Sequence, residues 1–304
     1  MFKTYSRYGA VRRAAALGAT AALFALAACG SGESGSTGSS AGGNKVEGNT
    51  SAPSYAELPE AYRGKTIAIA LDPGFGGLNS VDPNTKEFDG LNADLAKAIA
   101  KELGAAIELV PASFSGIVVG VESGRYDMSM SAVTDTVERQ ATVDFVDYVE
   151  VSQVLLVPEG NPDDVTSELT SACGLKLSVV PATTDEALFE EIKEGCSAAD
   201  EAAPEMVKVD TVDAAYLAVE SGRIDAMIRE NSSSREGATA EMIELDYGTS
   251  YYFGAIFAKK STDLRDAWLV GTEQIIESGE YAQILEDNDK SAIALDEPGI
   301  NLQK

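Results

Sequence analysis

The heptapeptide VESGRYD, Val121 to Asp127, returns almost unchanged as VESGRID, Val219 to Asp225, with six of seven positions identical. Each copy closes a stretch of helical spacing and opens a run of strand length: SGIVVGVESGR leads into YDMSMS, and TVDAAYLAVESGR leads into IDAMIRE. The same alternation extends outward from both. Upstream of the first copy, TIAIAL reads as a strand from Thr66, LNADLAKAIAKELG as a helix and AIELVP as a strand. In that helix Leu91, Leu95, Ile99 and Leu103 recur every four residues, and Gly104 sits where a C-terminal cap belongs. Upstream of the second copy, LKLSVV, TTDEALFEEIKEG and MVKVD read as strand, helix and strand. Alternating strands and helices predict mostly parallel sheets covered on both faces. Two βαβαβ units sharing one joint predict two similar α/β lobes, with any ligand bound beyond the carboxyl ends of the strands.

At 304 residues the chain is long enough for two lobes with a sizeable core. It carries 49 acidic against 23 basic residues, a net charge of -26, and no histidine. That charge repels nucleic acid and anionic lipid. The lack of histidine removes Ser-His and Cys-His nucleophile pairs and His-ligated zinc, leaving carboxylate, Lys, Tyr or Ser-Lys chemistry for any enzyme. There is no metal-ligand cluster, phosphate loop or nucleic-acid motif, and no cofactor is implied.

Residues 1–28 read as a signal peptide: Lys3, Arg7, Arg12 and Arg13 form a basic head, and Ala14 to Ala28 an apolar stretch too short to span a bilayer. The run LAAC, Leu26 to Cys29, resembles the bacterial lipobox, which implies cleavage before Cys29 and lipidation of its thiol; the alternative is a secretory signal cut elsewhere. Residues 29–61 then read as the anchored cysteine plus a flexible tether, because Gly30 to Ser54 is rich in Gly, Ser and Thr. About 25 such residues reach roughly 25 to 30 Å. The remaining cysteines, Cys173 and Cys196, are expected to pair in an exported chain, closing a loop worth roughly 3 kcal/mol; the alternative is two buried free thiols.

The first lobe's last strand runs into SAVTDTVERQ, Ser131 to Gln140, and the second lobe's into RENSSS, with Glu230 at the tip. A guanidinium on one wall of a cleft and a carboxylate on the other suit a small zwitterion. Arg139 can grip a carboxylate with two bonds, Thr134 can add a hydroxyl, and Glu230 can accept from an ammonium. The alternative for Arg139 is surface pairing with Glu138 or Asp144.

These stretches resemble the bacterial solute-binding proteins of family 3, the extracellular receptors of polar amino-acid ABC importers. The match runs from FDGLNADLAKAIAKELGAAIELVPASFSG through VESGRYDMSMSAVTDTVERQATVDFVDY, then ATTDEALFEE, ESGRIDAMIRE, FGAIFAKK and the closing SGEYAQILEDNDKSAIALDEPGIN. It implies the type II periplasmic-binding-protein fold, with lobe 1 built from residues 62–155 plus 253–304 and lobe 2 from 156–252. It also implies ligand contacts: Arg139 for the α-carboxylate with Thr134 beside it, the Ala132 N-H, Phe75 and Asp72 in LDPGFGG, Phe114 in ASFSG, Thr183 and Thr184 from lobe 2, and Glu230 for the ammonium. Independently, Thr183 with Glu186 has capping-box spacing, and a helix N-terminus attracts an anion; plain helix capping would look the same. For the two Phe residues the alternative is core packing.

Three positions depart from the family pattern: Glu230 stands where Asp is usual, Gly76 to Leu78 replaces a Pro-Pro-Phe run, and Ala182 replaces a glycine, which makes a positive φ there unexpected. The reading implied is a lipid-anchored receptor, a monomer without catalytic residues, that closes on an amino acid or similar zwitterion and presents it to a membrane permease and its ATPase. Two alternatives stand beside it. One is a same-fold enzyme resembling prephenate-type dehydratases, with Glu230 as acid; its dianionic substrate would want several cations, for which Arg139 stands with Arg229 or Arg235 as further candidates. The other is a sensory lipoprotein that binds without transport.

Overall fold

The computed structural model describes residues 43–74, 77–233, 237–246 and 250–304. Its strands are β1 (Lys45–Val46), β2 (Thr66–Leu71), β3 (Ser80–Val81), β4 (Phe88–Asp89), β5 (Ala106–Pro111), β6 (Met128–Thr134), β7 (Val143–Val151), β8 (Gln153–Val157), β9 (Lys176–Val179), β10 (Glu205–Lys208), β11 (Ala226–Glu230), β12 (Glu241–Glu244), β13 (Tyr251–Ala258) and β14 (Ala294–Ile300). Its helices are α1 (Leu91–Leu103), α2 (Phe114–Glu122), α3 (Val137–Gln140), α4 (Asp185–Ala198), α5 (Val212–Glu220), α6 (Thr262–Glu277) and α7 (Glu280–Asp287). None of the helices described is long and apolar enough to cross a membrane.

Both copies of the repeated heptapeptide make the same joint. After α2, the N-H of Arg125 donates to Gly120 O (2.8 Å); after α5, that of Arg223 donates to Ala218 O (2.9 Å). Gly124 and Gly222 both sit at positive φ, 79° and 66°, where a side chain would be strained. The aspartate that ends each copy then ties the new strand to its neighbour. Asp127 accepts from Ala68 N (2.8 Å) and Asp225 from Lys176 N (2.8 Å). The repeat is therefore a helix-to-strand hinge that fixes where β6 and β11 begin.

These joints feed two sheets, ordered β1-β5-β2-β6-β13-β7-β14 and β10-β9-β11-β8-β12, one per lobe. They are mixed, not mostly parallel as expected: β5, β2 and β6 run parallel, as do β10, β9 and β11, while β13, β7, β14, β8 and β12 enter antiparallel. The reason lies in the connection between lobes. β7 leaves the first sheet and continues through Ser152 as β8 of the second, and β13 returns beside β7. A strand going out and a strand coming back must point in opposite directions.

Helix α1 forms as its spacing predicts, burying Leu91, Leu95, Ile99 and Leu103 against the first sheet. Gly104 caps it at φ 62°, and a Cβ there would lie 2.1 Å from Asn49 O, so no other residue fits. Asn49 belongs to the stretch expected to be tether. That expectation fails from residue 43 onward: β1 pairs with β5, Asn49 N donates to Gly104 O (3.0 Å), and Leu58 is buried in the lobe 1 core. Tyr55 and Leu58 supply apolar anchors that the glycine- and serine-rich part lacks. The signal segment, Cys29 and the rest of the tether lie outside the described residues.

In lobe 2, Cys173 and Cys196 form a disulfide with a Cα separation of 5.6 Å. It fastens α4 to the turn at Leu169–Ala172, under a core built from Leu177, Leu188 and Ile192.

Candidate ligand-binding cleft

Arg139 lies in the short connection from β6 to β7, on α3, whose first turn is capped by Thr136: its Oγ1 accepts from the N-H of Arg139 (3.2 Å). The guanidinium turns back toward the sheet. Nη1 donates to Thr134 O (2.8 Å), and Nη2 donates to Ala182 O of lobe 2 (2.9 Å). Asp144, one of the surface partners Arg139 might have taken, is engaged by Lys259 (2.7 Å) and Arg265 (2.8 Å). Burial draws the Arg139 pKa down, opposed by the charges of Glu230, Glu138 and Asp135. Glu230 of the second lobe is thus close enough for its charge to act on Arg139.

The opposite wall is the turn from β9 into α4. Ala182 adopts φ 65°, against expectation for a residue with a Cβ. Bonds on both sides hold it there, since its carbonyl accepts from Arg139 and its N-H donates to Glu186 Oε2 (3.4 Å). A non-glycine residue in this region costs on the order of 1 kcal/mol. The expected capping box is displaced. Thr183 Oγ1 accepts from Asp185 N (3.2 Å) and donates to Val180 O (2.7 Å), so the helix starts one residue later than its spacing suggests. Thr184 is left at the cap position with its hydroxyl turned to Glu230 Oε1 (3.3 Å), while Gln153 Nε2 donates to Thr184 Oγ1 (3.4 Å).

Glu230 does not project freely from its strand. Its carboxylate meets Arg229 Nη2 at 2.6 Å, and Arg229 also pairs with Asp185 (3.3 Å) and donates from Nε to Ser233 Oγ (3.0 Å). Arg229 and Asp185 are completely buried and Glu230 is 1% exposed. Burial lowers the Arg229 pKa, but Glu230 and Asp185 outweigh it and the net direction is upward. Burial pushes Asp185 up to about 6, opposed by Arg229 and reinforced by Glu230. Sequence reasoning placed Glu230 and Arg229 in the cleft separately and missed that they pair with each other and with Asp185, which α4 contributes.

The other predicted contacts divide. Asp72 spends both carboxylate oxygens on backbone N-H groups, those of Gly74 (2.7 Å) and Phe114 (2.5 Å), and so holds the turn after β2 against the start of α2. Phe114 packs between the two apolar clusters of lobe 1, as the core-packing alternative has it. Ala132 is 1% exposed and its N-H is donated to Tyr148 Oη (3.2 Å), so that donor faces the core and not the cleft. Thr134 is buried and offers Arg139 its carbonyl. Phe75 lies outside the described residues.

Arg139, Thr183 and Thr184 line a common cavity of about 670 Å³, which also takes in Gln153 and Tyr251 and is rimmed by Glu138, Glu186 and Glu191. Asp72 lines a different gap of about 490 Å³ between the lobes, facing Asp210 and Thr211. The larger cavity has the size of a small-molecule site.

The sequence profile of the bacterial extracellular solute-binding proteins, family 3, matches residues 67–288. The arginine-binding protein of Corynebacterium glutamicum is 26% identical over 297 residues, covering 95% of each chain. The arginine-, lysine-, histidine-binding protein of Geobacillus stearothermophilus superposes at a TM-score of 0.64 and 27% identity, covering 73% of this chain and 94% of that one. An ancestral amino acid-binding protein, a precursor of cyclohexadienyl dehydratase, gives 0.65 and 27%, covering 74% and 95%. With two α/β lobes, a cleft between them and a profile match over most of its length, this chain belongs to the bacterial extracellular solute-binding proteins, family 3.

Proposed function

We propose that this protein binds an α-amino acid with a cationic side chain between its lobes and delivers it to the permease and ATPase of an ABC importer. The observation that carries the reading is the single cavity lined by Arg139 of lobe 1 together with Thr183 and Thr184 of lobe 2. A ligand carboxylate replaces Ala182 O on the Arg139 guanidinium beside Thr183 and Thr184, and its ammonium lies toward Glu230 by way of Thr184, whose hydroxyl already bonds that carboxylate. Glu138 and Glu191, which line the cavity, favour a second positive charge, whereas Glu186 is already paired with Lys208 (2.7 Å); this accords with relatives named for arginine, lysine and histidine.

In this reading lobe 1 comprises residues 62–155 and 253–304 and lobe 2 residues 156–252, adjusted so that the segment from Lys45 to Leu58 and all of β13 go with lobe 1 and all of β8 with lobe 2. The chain is a monomer held outside the membrane by lipidated Cys29. The similarity to a dehydratase precursor raises the enzyme alternative. We assign no catalysis, since the carboxylate such chemistry would use, Glu230, is already engaged by Arg229 and Thr184.

The test is a thermal-shift series with arginine, lysine, histidine, glutamine, glutamate and prephenate. Ligand at 100 times its Kd adds about 2.7 kcal/mol of stability, a rise of several degrees at this size. A shift with the cationic amino acids is expected. A shift with prephenate alone would replace the receptor with the enzyme, and no shift with any of them would overturn the amino-acid reading.

A further inference from the structure

Residues Asn301–Gln303 run back across β7 and end against the turn that carries Arg139. The N-H of Gln303 donates to Asp135 Oδ2 (3.1 Å), and its carbonyl accepts from Gln140 Nε2 (2.9 Å). Gln140 Nε2 also donates to Asp135 Oδ1 (2.8 Å), which closes a ring of three bonds among Asp135, Gln140 and Gln303. Further back, Leu302 N donates to Asp147 Oδ2 (2.9 Å), and Asn301 accepts from Phe145 N (2.9 Å) and donates to Asp144 Oδ1 (3.1 Å). Asp135 and Asp147 are completely buried. The segment is therefore anchored along its length, and its last anchor falls on the Arg139 turn.

Asp135 and Gln140 are the two shoulders of that turn. Arg139 hangs from the same frame: its backbone precedes Gln140, and its Nη1 bonds to the carbonyl of Thr134, the residue before Asp135. Both ends that fix the guanidinium in space thus run through residues held by Gln303. A displacement of about 1 Å at a binding group is enough to cost a large factor in its effect.

We propose that Asn301–Gln303 is a positioning element of the ligand site: it braces the Arg139 turn, so that ligand affinity depends on a segment that does not touch the ligand. The proposal rests on Arg139 being the carboxylate anchor. A segment that merely sealed the sheet beside β14 would support stability and leave affinity alone.

Gln140→Leu keeps the volume and removes both donors; a chain ending at Ile300 removes the brace itself. Arginine affinity is measured by calorimetry for each, in the native background and in Arg139→Lys, together with the ligand-free Tm. Gln140→Leu is expected to weaken binding about tenfold in the native background and twofold or less with Arg139→Lys, the coupling expected of residues acting through one another. Its Tm should fall by several degrees, because the buried Asp135 carboxylate loses one of its partners, so affinity is read at a temperature where both proteins are fully folded. Equal losses in both backgrounds, or unchanged affinity for Gln140→Leu, would overturn the brace. If the native protein binds no amino acid at all, the proposed function fails separately. The brace is then judged by amide exchange over Val137–Ala141, faster in Gln140→Leu if it holds and unchanged if it does not.

Discussion

Arg139 of lobe 1 is hydrogen-bonded to the carbonyl of Ala182 in lobe 2, 2.9 Å away, so one bond joins the two walls of the cleft at the point where a ligand carboxylate would sit. Ligand binding then exchanges a neutral acceptor for a charged one on the same donor. The donor is cationic in both cases, so what the ligand adds is the attraction of opposite charges, together with the two-bond geometry a carboxylate offers a guanidinium.

Arg139→Ala should weaken arginine binding by about 30-fold to several thousand-fold, the 2 to 5 kcal/mol that loss of a buried charged partner costs. Arg139→Lys should fall between, because a lysine offers one bond where the fork offers two. Calorimetric titration of the purified proteins reads both.

Arg229 is the counter-ion of two buried carboxylates, Asp185 and Glu230. Arg229→Met should lower stability by about 3 to 5 kcal/mol at pH 7, since it strands both. The stranded carboxylates gain stability only by taking up protons. The deficit should therefore shrink as the pH falls toward 5, a trend that urea unfolding at the two pH values would reveal.

Asp147 is pushed up to about 8, first by burial and then by the charge of Asp135, with Leu302 N and Lys304 opposing. Its folded pKa exceeds the unfolded one, so the folded state holds the extra proton between about pH 4 and pH 8. Stability carried by this group is complete below that window and is lost as the pH rises through it. The slope for one proton is at most about 1.4 kcal/mol per pH unit. Asp147→Asn should flatten that decline in denaturant titrations run from pH 5 to 9.

Breaking the Cys173–Cys196 bond by the double change to Ala should cost about 3 kcal/mol, with the loss confined to lobe 2. Hydrogen exchange should rise over α4 and the turn it is tied to, and remain unchanged in β2, β5 and β6.

The alternation of strand and helix was legible because it is written in local periodicity: β2 matches TIAIAL residue for residue, and α1 with its Gly104 cap falls where four-residue spacing puts it. Which strands would run antiparallel was not legible, since β13 pairs with β6 and β7 over a long separation that no local pattern encodes. Of the predicted site residues, Arg139, Thr183 and Thr184 line one cavity; Arg139 stood out as a guanidinium where a strand ends, and the two threonines came from the family resemblance. Asp72 and Ala132 misled for one reason: a carboxylate or an N-H looks available in a sequence until the backbone that consumes it is seen. Arg229 could be named as a cation but not as the counter-ion of Asp185, and Gln140 could not be read at all, because those partners are contributed by other elements.

The position of β13 between β6 and β7 also sets an order of assembly. The first sheet has a slot in its middle that only a strand made after the whole of lobe 2 can fill. Lobe 2 is one uninterrupted stretch between β7 and β13, and once its own strands pair it brings the ends of that stretch together. A long loop closure becomes a short one, and the entropy of bringing β13 home falls accordingly. Slow folding of the inserted lobe should delay completion of the other, whereas damage to the outer lobe should leave the inserted one free to form first.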